Sequence, residues 1–193
     1  MASINSSSFN NLPRIIAICG RKRSGKDSVA GYLSEHYGYV NAKFADPLKQ
    51  AVKGFFGFTE HQVEVDKEVV DELWGITPRH AMQFIGCHIV QHEFQKLIPD
   101  IGRDFFIKSL LCKHKNTERV VISDLRFAHE FDAINAIEGS IIIKLTRPDI
   151  DNSDTHISEI EVDNIKCEYE IVNDGTLEDL WEKIETIMKT ISM

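Results

Sequence analysis

The chain has 193 residues, 42% apolar and 27% charged, a balance typical of a folded protein that can bury a core without disulfide or metal staples. Its 22 Lys and Arg stand against 30 Asp and Glu, a formal charge of −8, which argues against broad binding to nucleic-acid backbone. No apolar run approaches the ~20 residues of a membrane span. There is no secretory leader pattern. The four cysteines, Cys19, Cys87, Cys112 and Cys167, have neither disulfide-framework nor zinc-site spacing, so they read as reduced thiols in a cytoplasmic compartment.

In chain order, Met1 to Leu12 is rich in Ser and Asn and reads as a mobile tail. The run Arg14-Ile-Ile-Ala-Ile-Cys19 has the continuous apolar character of a strand covered on both faces. Similar runs follow at Tyr39–Phe44, Val120–Ser123, Ile141–Leu145 and Glu170–Val172. Segments with helical spacing separate them, at Lys26–Tyr37, Pro47–Phe56, Pro78–Phe94, Asp104–His114, Ala128–Ile137 and Leu177–Met188. Strands alternating with helices predict an α/β fold, a three-layer α/β/α arrangement around a five-stranded parallel sheet, with one domain over residues 13–193. Two acidic stretches, 57–76 and 148–167, break the alternation and read as an acceptor-side insertion and a lid-like segment.

Gly20-Arg21-Lys22-Arg23-Ser24-Gly25-Lys26-Asp27-Ser28 follows the first strand directly and opens the first helix. This is the G-x-x-x-x-G-K spacing of a phosphate-binding loop in its strand–loop–helix context. The glycines let the backbone curl so that successive N–H groups, together with the helix N-terminus, face one anion. Lys26 would reach the β- and γ-phosphates of a nucleoside triphosphate, and Arg21, Lys22 and Arg23 add positive charge. After Lys26, where a Ser or Thr usually contacts magnesium, stands Asp27. Either Asp27 or Ser28 would serve Mg²⁺ there, or Asp27 would only favour the first helical turn.

Four further clusters bear on the phosphate acceptor. Phe44-Ala-Asp46-Pro47-Leu48-Lys49 starts a helix, with Asp46 expected as its N-cap and Lys49 one turn in, where an anion could sit. Arg79, Gln83 and Gly86 fall at i, i+4 and i+7, expected on one helical face. There Arg79 would clamp phosphate, Gln83 would read a base edge, and Gly86 would leave room for a flat ring. Asp124 closes a strand near the phosphate loop, where a carboxylate can position Mg²⁺ or an attacking oxygen, unless it merely caps the next helix. Arg126 adds a cation and Phe127 a stacking ring. Arg147 ends a strand at the base of the lid-like segment, where it could neutralise a transferring phosphoryl group; His156 and Glu159 lie within that segment. His80, His88 and His92 share one predicted helix and read as structural.

Taken together, these segments resemble the deoxynucleoside monophosphate kinases of large bacteriophages and related viruses, a branch of the P-loop nucleoside monophosphate kinases. The resemblance runs from Gly20 to about Met188. It rests on Gly20–Asp27, in which Asp27 is itself a family trait, on Phe44–Lys49, and on Arg79 with Met82-Gln83. Asp124-Leu-Arg126 with Glu130, Arg147-Pro148 leading to Asp154-Thr-His-Ile-Ser-Glu159, and Val172-Asn-Asp-Gly175 complete it. The resemblance implies a P-loop kinase fold and transfer of the ATP γ-phosphoryl group to a deoxynucleoside monophosphate of the dTMP or dGMP type, with Mg²⁺. Lys26 would be the phosphate lysine, and Lys49, Arg79, Gln83 and Arg126 would surround the acceptor. Asp46, Phe127 and Glu130 would join them, and Asp124 would act near metal and attacking phosphate. The sequence departs from relatives at Gly86-Cys87-His88 and is shorter over 57–76, which puts base preference in doubt.

The implied chemistry needs no protein nucleophile: Lys26, Arg126, Arg147 and Mg²⁺ would hold the negative charge that spreads during an in-line transfer, with Asp124 near the metal and the attacking phosphate. Two rivals share the loop: another small-molecule kinase of the phosphomevalonate kinase type, and a P-loop regulatory ATPase. The expected partners are ATP and a small-molecule acceptor, with no nucleic acid and no membrane. The expected location is cytoplasmic, in the host if the protein is viral. A homodimer is compatible with the sequence, which leaves base choice and ribose selectivity open.

Overall fold

A computed structural model describes residues 11–148 and 157–192, with only the backbone described at 157–160. Residues 1–10 of the expected tail, and residues 149–156 of the expected lid, lie outside the described residues. The elements run β1 (Ile15–Cys19), α1 (Lys26–Tyr37), β2 (Val40–Ala42), α2 (Asp46–Phe56), α3 (Glu60–Glu64) and α4 (Pro78–Gln83). Helix α4 continues as π-helical turns over Phe84–Glu93. Then come α5 (Phe105–Lys113), β3 (Val120–Leu125), α6 (Ala128–Asn135), β4 (Ser140–Thr146), α7 (Ile157–Asn164), β5 (Tyr169–Val172) and α8 (Leu177–Ile191). Two compact units result: residues up to Lys43 together with His114 onward, and Phe44–Lys113 between them.

The first unit carries the whole sheet. Its five strands are parallel in the order β2-β3-β1-β4-β5. All five residues of β1 are buried, as the continuous apolar run requires of a strand covered on both faces. Alternate residues Ile16 and Ile18 join Val121, Ile143, Leu145 and Ile171 against Val29, Ala30 and Leu33 of α1 and Leu180, Ile184 and Met188 of α8. The last three recur every fourth residue, the stripe by which a helix buries one face. A capping box starts α8: Thr176 N donates to Asp179 Oδ2 at 2.8 Å while Asp179 N donates to Thr176 Oγ1 at 3.2 Å. The α/β fold with its five-stranded parallel sheet is as the alternation predicts.

This strand order fixes where chemistry can happen. β1 lies between β3 and β4, so the crossover from β1 to β2 runs to one side of it while the crossover from β3 to β4 passes to the other. A crevice opens outside the carboxyl ends of strands at such a reversal.

The second unit is helical, built on Val52, Phe58, Val63 and Ala81 with Leu48, Phe56, Ile76, Met82 and Ile85 packed around them. Its 57–76 stretch, read from sequence as an acidic insertion, contains an unpredicted helix, α3. Thr59 accepts from Gln62 N at 3.2 Å and Gln62 Oε1 accepts from Thr59 N at 2.9 Å. Further along, Asp71 Oδ1 accepts from the amides of Leu73 and Trp74, and Trp74 Nε1 donates to Phe56 O at 2.8 Å. Such local capping carries no long apolar period, which is why it escaped a reading by periodicity.

Candidate active site

The loop between β1 and α1 is bent by three residues at positive φ: Gly20 at +147°, Arg23 at +65° and Gly25 at +108°. Alternating hand of this kind turns successive amides to one side and forms an anion nest. Glycine is obligatory at both ends. A Cβ on Gly20 would stand 2.3 Å from Leu145 O, and one on Gly25 would stand 2.7 Å from Asn173 Nδ2. Ser24 is 1% exposed, and its Oγ has no hydrogen-bond partner among the described residues. A buried hydroxyl without a partner inside an anion nest suits a phosphate oxygen. The curled loop, the α1 N-terminus and this free donor fit a polyphosphate.

Lys26 is 7% exposed, and its Nζ donates to Gly20 O and Arg21 O, both at 2.7 Å. The ammonium therefore sits against the loop backbone. Arg21 Nε donates to Asp163 Oδ1 and Oδ2 at 2.9 and 3.1 Å, a fork-to-carboxylate contact that reaches α7. The guanidinium holds the Asp163 carboxyl below the usual carboxylate range. Lys22, Arg23 and Ser28 are exposed. Asp27 is also exposed and pairs with Lys43 Nζ at 2.9 Å. Asp27, Ser28 and Asp124 are hard oxygen donors of the kind Mg²⁺ takes. Among the described residues no cluster of three His, Cys, Asp or Glu forms a metal cage.

Asp124 lies within β3, and the cap position of α6 is Phe127, so helix capping does not explain Asp124. Between Ala17↔Ile122 and Cys19↔Leu125 the register slips: Ser123 and Asp124 stand opposite the single residue Ile18. Such a bulge bends a strand and re-aims its side chain next to a site. Arg126 and Phe127 follow, both half-buried, and the Phe127 ring stacks on His129 with centroids 5.5 Å apart. Glu130 is 8% exposed and accepts from Arg126 N at 2.8 Å and Phe127 N at 3.0 Å. Burial pushes its carboxyl up to about 7 despite those two donors, with the Asp124 charge adding to the rise. Placed with the acceptor by resemblance, Glu130 in the structure holds the backbone of the Asp124–Phe127 turn. Arg147 is exposed just beyond β4. With Gly20, Arg21, Lys144 and Asp163 it lines a cleft of about 220 Å³.

The other expected acceptor residues belong to the second unit. Asp46 is the first residue of α2 and Ala45 its cap, one position from the expected assignment, with Pro47 inside the first turn. Lys49 is buried and ion-paired through Nζ with Glu64. Arg79 Nε is paired with Glu68. Gln83 is exposed at the end of α4. The expectation for Gly86 does not hold. The helix widens to π geometry after Gln83, which breaks the i, i+4, i+7 face. Leu48 Cδ2 lies 3.0 Å from where a Gly86 Cβ would stand, so that space admits a helix neighbour instead of a ring.

Four contributors escaped the motif reading. Asn173, 9% exposed at the end of β5, donates from Nδ2 to Ser24 O at 2.9 Å and from its own amide to Thr146 O at 2.7 Å, supporting the phosphate loop from below. Asp163 holds Arg21. Glu64 and Glu68 hold Lys49 and Arg79. Asn173 stood in a quoted segment, Val172-Asn-Asp-Gly175, but nothing in its spacing pointed to the loop. His156 and the side chain of Glu159 lie outside the described residues.

A parallel sheet in this order, with a glycine-bounded nest and a buried lysine between its central strand and the next helix, defines a P-loop kinase fold. Solved structures agree on the fold: TT1252 from Thermus thermophilus (17% identity, TM-score 0.51, 93% of this chain and 98% of that one) and shikimate kinase from Aquifex aeolicus (14%, 0.51, 91% and 96%). The chain belongs to the deoxynucleotide monophosphate kinase family, whose model matches residues 14–77 and 56–184, and it is therefore a phosphotransferase. It is 36% identical over 183 residues to a protein of Acanthamoeba polyphaga mimivirus assigned as a deoxynucleotide monophosphate kinase, covering 88% of this chain and 93% of that protein. With the deoxynucleotide monophosphate kinase of phage T4 it shares 22% over 247 residues, covering 92% of this chain and all of the phage enzyme. Among the described residues no helix is long and apolar enough to cross a membrane.

Proposed function

We propose that the chain transfers the γ-phosphoryl group of ATP to a deoxynucleoside 5′-monophosphate of the dTMP or dGMP type, in the cytoplasm of a host cell. The observation that carries this reading is the nest at Gly20–Gly25, with the partnerless Ser24 Oγ inside it and Lys26 beside it. Family membership supplies the acceptor class.

Loop amides, Ser24 Oγ and Lys26 bind the β- and γ-phosphates. An oxygen of the acceptor phosphate, already ionised at neutral pH, forms the new bond to the γ-phosphorus as the bond to the β–γ bridging oxygen breaks. No general base is required, and the protein's part is positioning and charge. Lys26, Arg126 and Arg147 hold the charge that spreads over the equatorial oxygens. Asp124 with Asp27 or Ser28 would hold Mg²⁺, which would supply positive charge against the negative charge developing in the transfer. Arg21 would leave Asp163 for phosphate. In the first unit Phe127 would offer a ring for stacking on a base, and in the second Gln83 would read a base edge. Lys49 and Arg79 would exchange Glu64 and Glu68 for the acceptor phosphate, an exchange of one oxyanion for another.

A coupled assay across all deoxy- and ribonucleoside monophosphates with ATP and Mg²⁺ tests this reading. Turnover is expected with dTMP or dGMP at a rate well above acceptor-free ATP hydrolysis. Equal hydrolysis with and without every acceptor would refute it.

A further inference from the structure

Cys19 is the last residue of β1 and directly precedes the phosphate loop. It is wholly buried. Cys167, half-buried, lies in the turn between α7 and β5. Although 148 positions apart, their Sγ atoms approach to 3.7 Å. The remaining thiols, Cys87 and Cys112, are exposed. Lys144, opposite Cys19 across the β1–β4 register, sends its buried ammonium to Asp163 O at 2.9 Å and Ile165 O at 2.6 Å, just before Cys167. The hydrogen bond with Cys19 and the Lys144 charge hold the Cys167 thiol below its ordinary range, while the same contact, followed by burial, pushes Cys19 up. The pair is thus asymmetric: one thiol on a half-buried residue, inclined to ionise, and one wholly buried thiol beside it.

We propose that Cys19 and Cys167 are a peroxide-oxidisable dithiol whose disulfide ties the strand bearing the phosphate loop to the turn that follows α7. The Cys167 thiolate attacks one oxygen of hydrogen peroxide, the O–O bond breaks, and the departing hydroxide takes a proton to leave as water. Cys167 is now a sulfenic acid. The Cys19 sulfur, giving up its proton, attacks the Cys167 sulfur; the S–O bond breaks and a second water leaves. Two thiols and one peroxide become one disulfide and two waters. The sulfurs must close from 3.7 Å to the ~2.05 Å of a disulfide bond.

The disulfide also acts on the loop. α7 carries Asp163, which holds Arg21, and the turn after α7 carries Cys167. Pinning that turn to β1 keeps the Arg21–Asp163 contact closed and withholds Arg21 from phosphate. This consequence, unlike the disulfide itself, rests on the proposed reading of the loop as an ATP site.

The test treats the full chain with hydrogen peroxide, blocks the remaining thiols with iodoacetamide and maps peptides by mass spectrometry. A Cys19–Cys167 cross-linked peptide that dithiothreitol dissolves is expected, with Cys87 and Cys112 recovered alkylated. In Cys19→Ser, Cys167 should instead be trapped as a sulfenic acid by dimedone. Cross-links scattered to Cys87 or Cys112, or a wild-type Cys167 that passes to sulfinic acid without cross-linking, would overturn the proposal. ATP titration of reduced and oxidised protein gives a second readout. Oxidation should weaken binding on the order of tenfold, the effect of one charge-assisted hydrogen bond, in the wild type but not in Cys167→Ser. A cross-link that leaves ATP affinity unchanged would remove the coupling to the loop. Failure of the reduced protein to bind ATP would count against the functional reading alone, since the peptide map does not depend on it.

Discussion

Glu130 offers a quantitative test of how the site is held. Its carboxylate accepts the amides of Arg126 and Phe127 while 8% exposed, and burial raises its pKa from 4.5 to about 7. The folded state therefore binds a proton more tightly than the unfolded chain. Stability from this group is fully present below pH 4.5 and is lost as pH rises through 7. At 1.36 kcal/mol per pKa unit, linkage gives about 2 kcal/mol more stability from Glu130 at pH 5.5 than at pH 8.5. Glu130→Gln keeps an oxygen acceptor for the amides and cannot ionise. Urea melts of both proteins at the two pH values should show the wild type losing about 2 kcal/mol relative to the Gln variant as pH rises. Other titrating groups cancel in that comparison. Parallel stability–pH profiles for the two proteins would refute the buried, proton-binding carboxylate. Glu130→Ala should be worse than Gln at both pH values, by about 1–3 kcal/mol for each amide left without a partner. It should also lower kcat through the Asp124–Phe127 turn.

Lys26→Ala should lower kcat on the order of 10²-fold, for a transition-state charge contact of ~3 kcal/mol; a near-normal rate in steady-state assays would remove Lys26 from the mechanism. Gly25→Ala forces a Cβ to 2.7 Å from Asn173 Nδ2 at a φ of +108°. It should cost at least about 1–3 kcal/mol by thermal or urea melts and abolish ATP binding by calorimetry. Asn173→Ala leaves Ser24 O without its donor. It should raise the Kd for ATP about fivefold or more, for a lost hydrogen bond of ~1 kcal/mol, read by nucleotide titration against unchanged acceptor KM. Glu68→Gln releases Arg79 from an ion pair whose partners are both substantially exposed. Stability should change by less than about 1 kcal/mol while acceptor KM falls; an unchanged or raised KM would separate Arg79 from the acceptor.

Much of the fold was legible because apolar periodicity is local. The run at Arg14–Cys19 contains β1, those at Val120–Ser123 and Ile141–Leu145 lie in β3 and β4, and the segment Lys26–Tyr37 is α1 residue for residue. The phosphate loop was legible too, since its glycines and lysine occupy consecutive positions whose backbone geometry is set by neighbours in the chain. What periodicity missed was α3, begun by its Thr59–Gln62 capping box, and α7, both short helices with no apolar stripe long enough to register. It also missed the π-helical turns after Gln83. These move Gly86 off the face shared by Arg79 and Gln83, because a change in hydrogen-bond register leaves no mark on residue spacing.

By itself, then, the chain's order of residues determined the strands and the longer helices, where the phosphate loop lies and which side chains carry charge toward it. Folding alone decided the partnerships. Asn173 meets Ser24, Asp163 meets Arg21, Glu130 meets the amides of Arg126 and Phe127, and Cys167 comes within 3.7 Å of Cys19. Except for the contact of Glu130 with its near neighbours, these are encounters between residues more than a hundred positions apart. They exist because parallel crossovers bring the carboxyl ends of β1, β4 and β5 to one edge of the sheet, a placement no local pattern encodes.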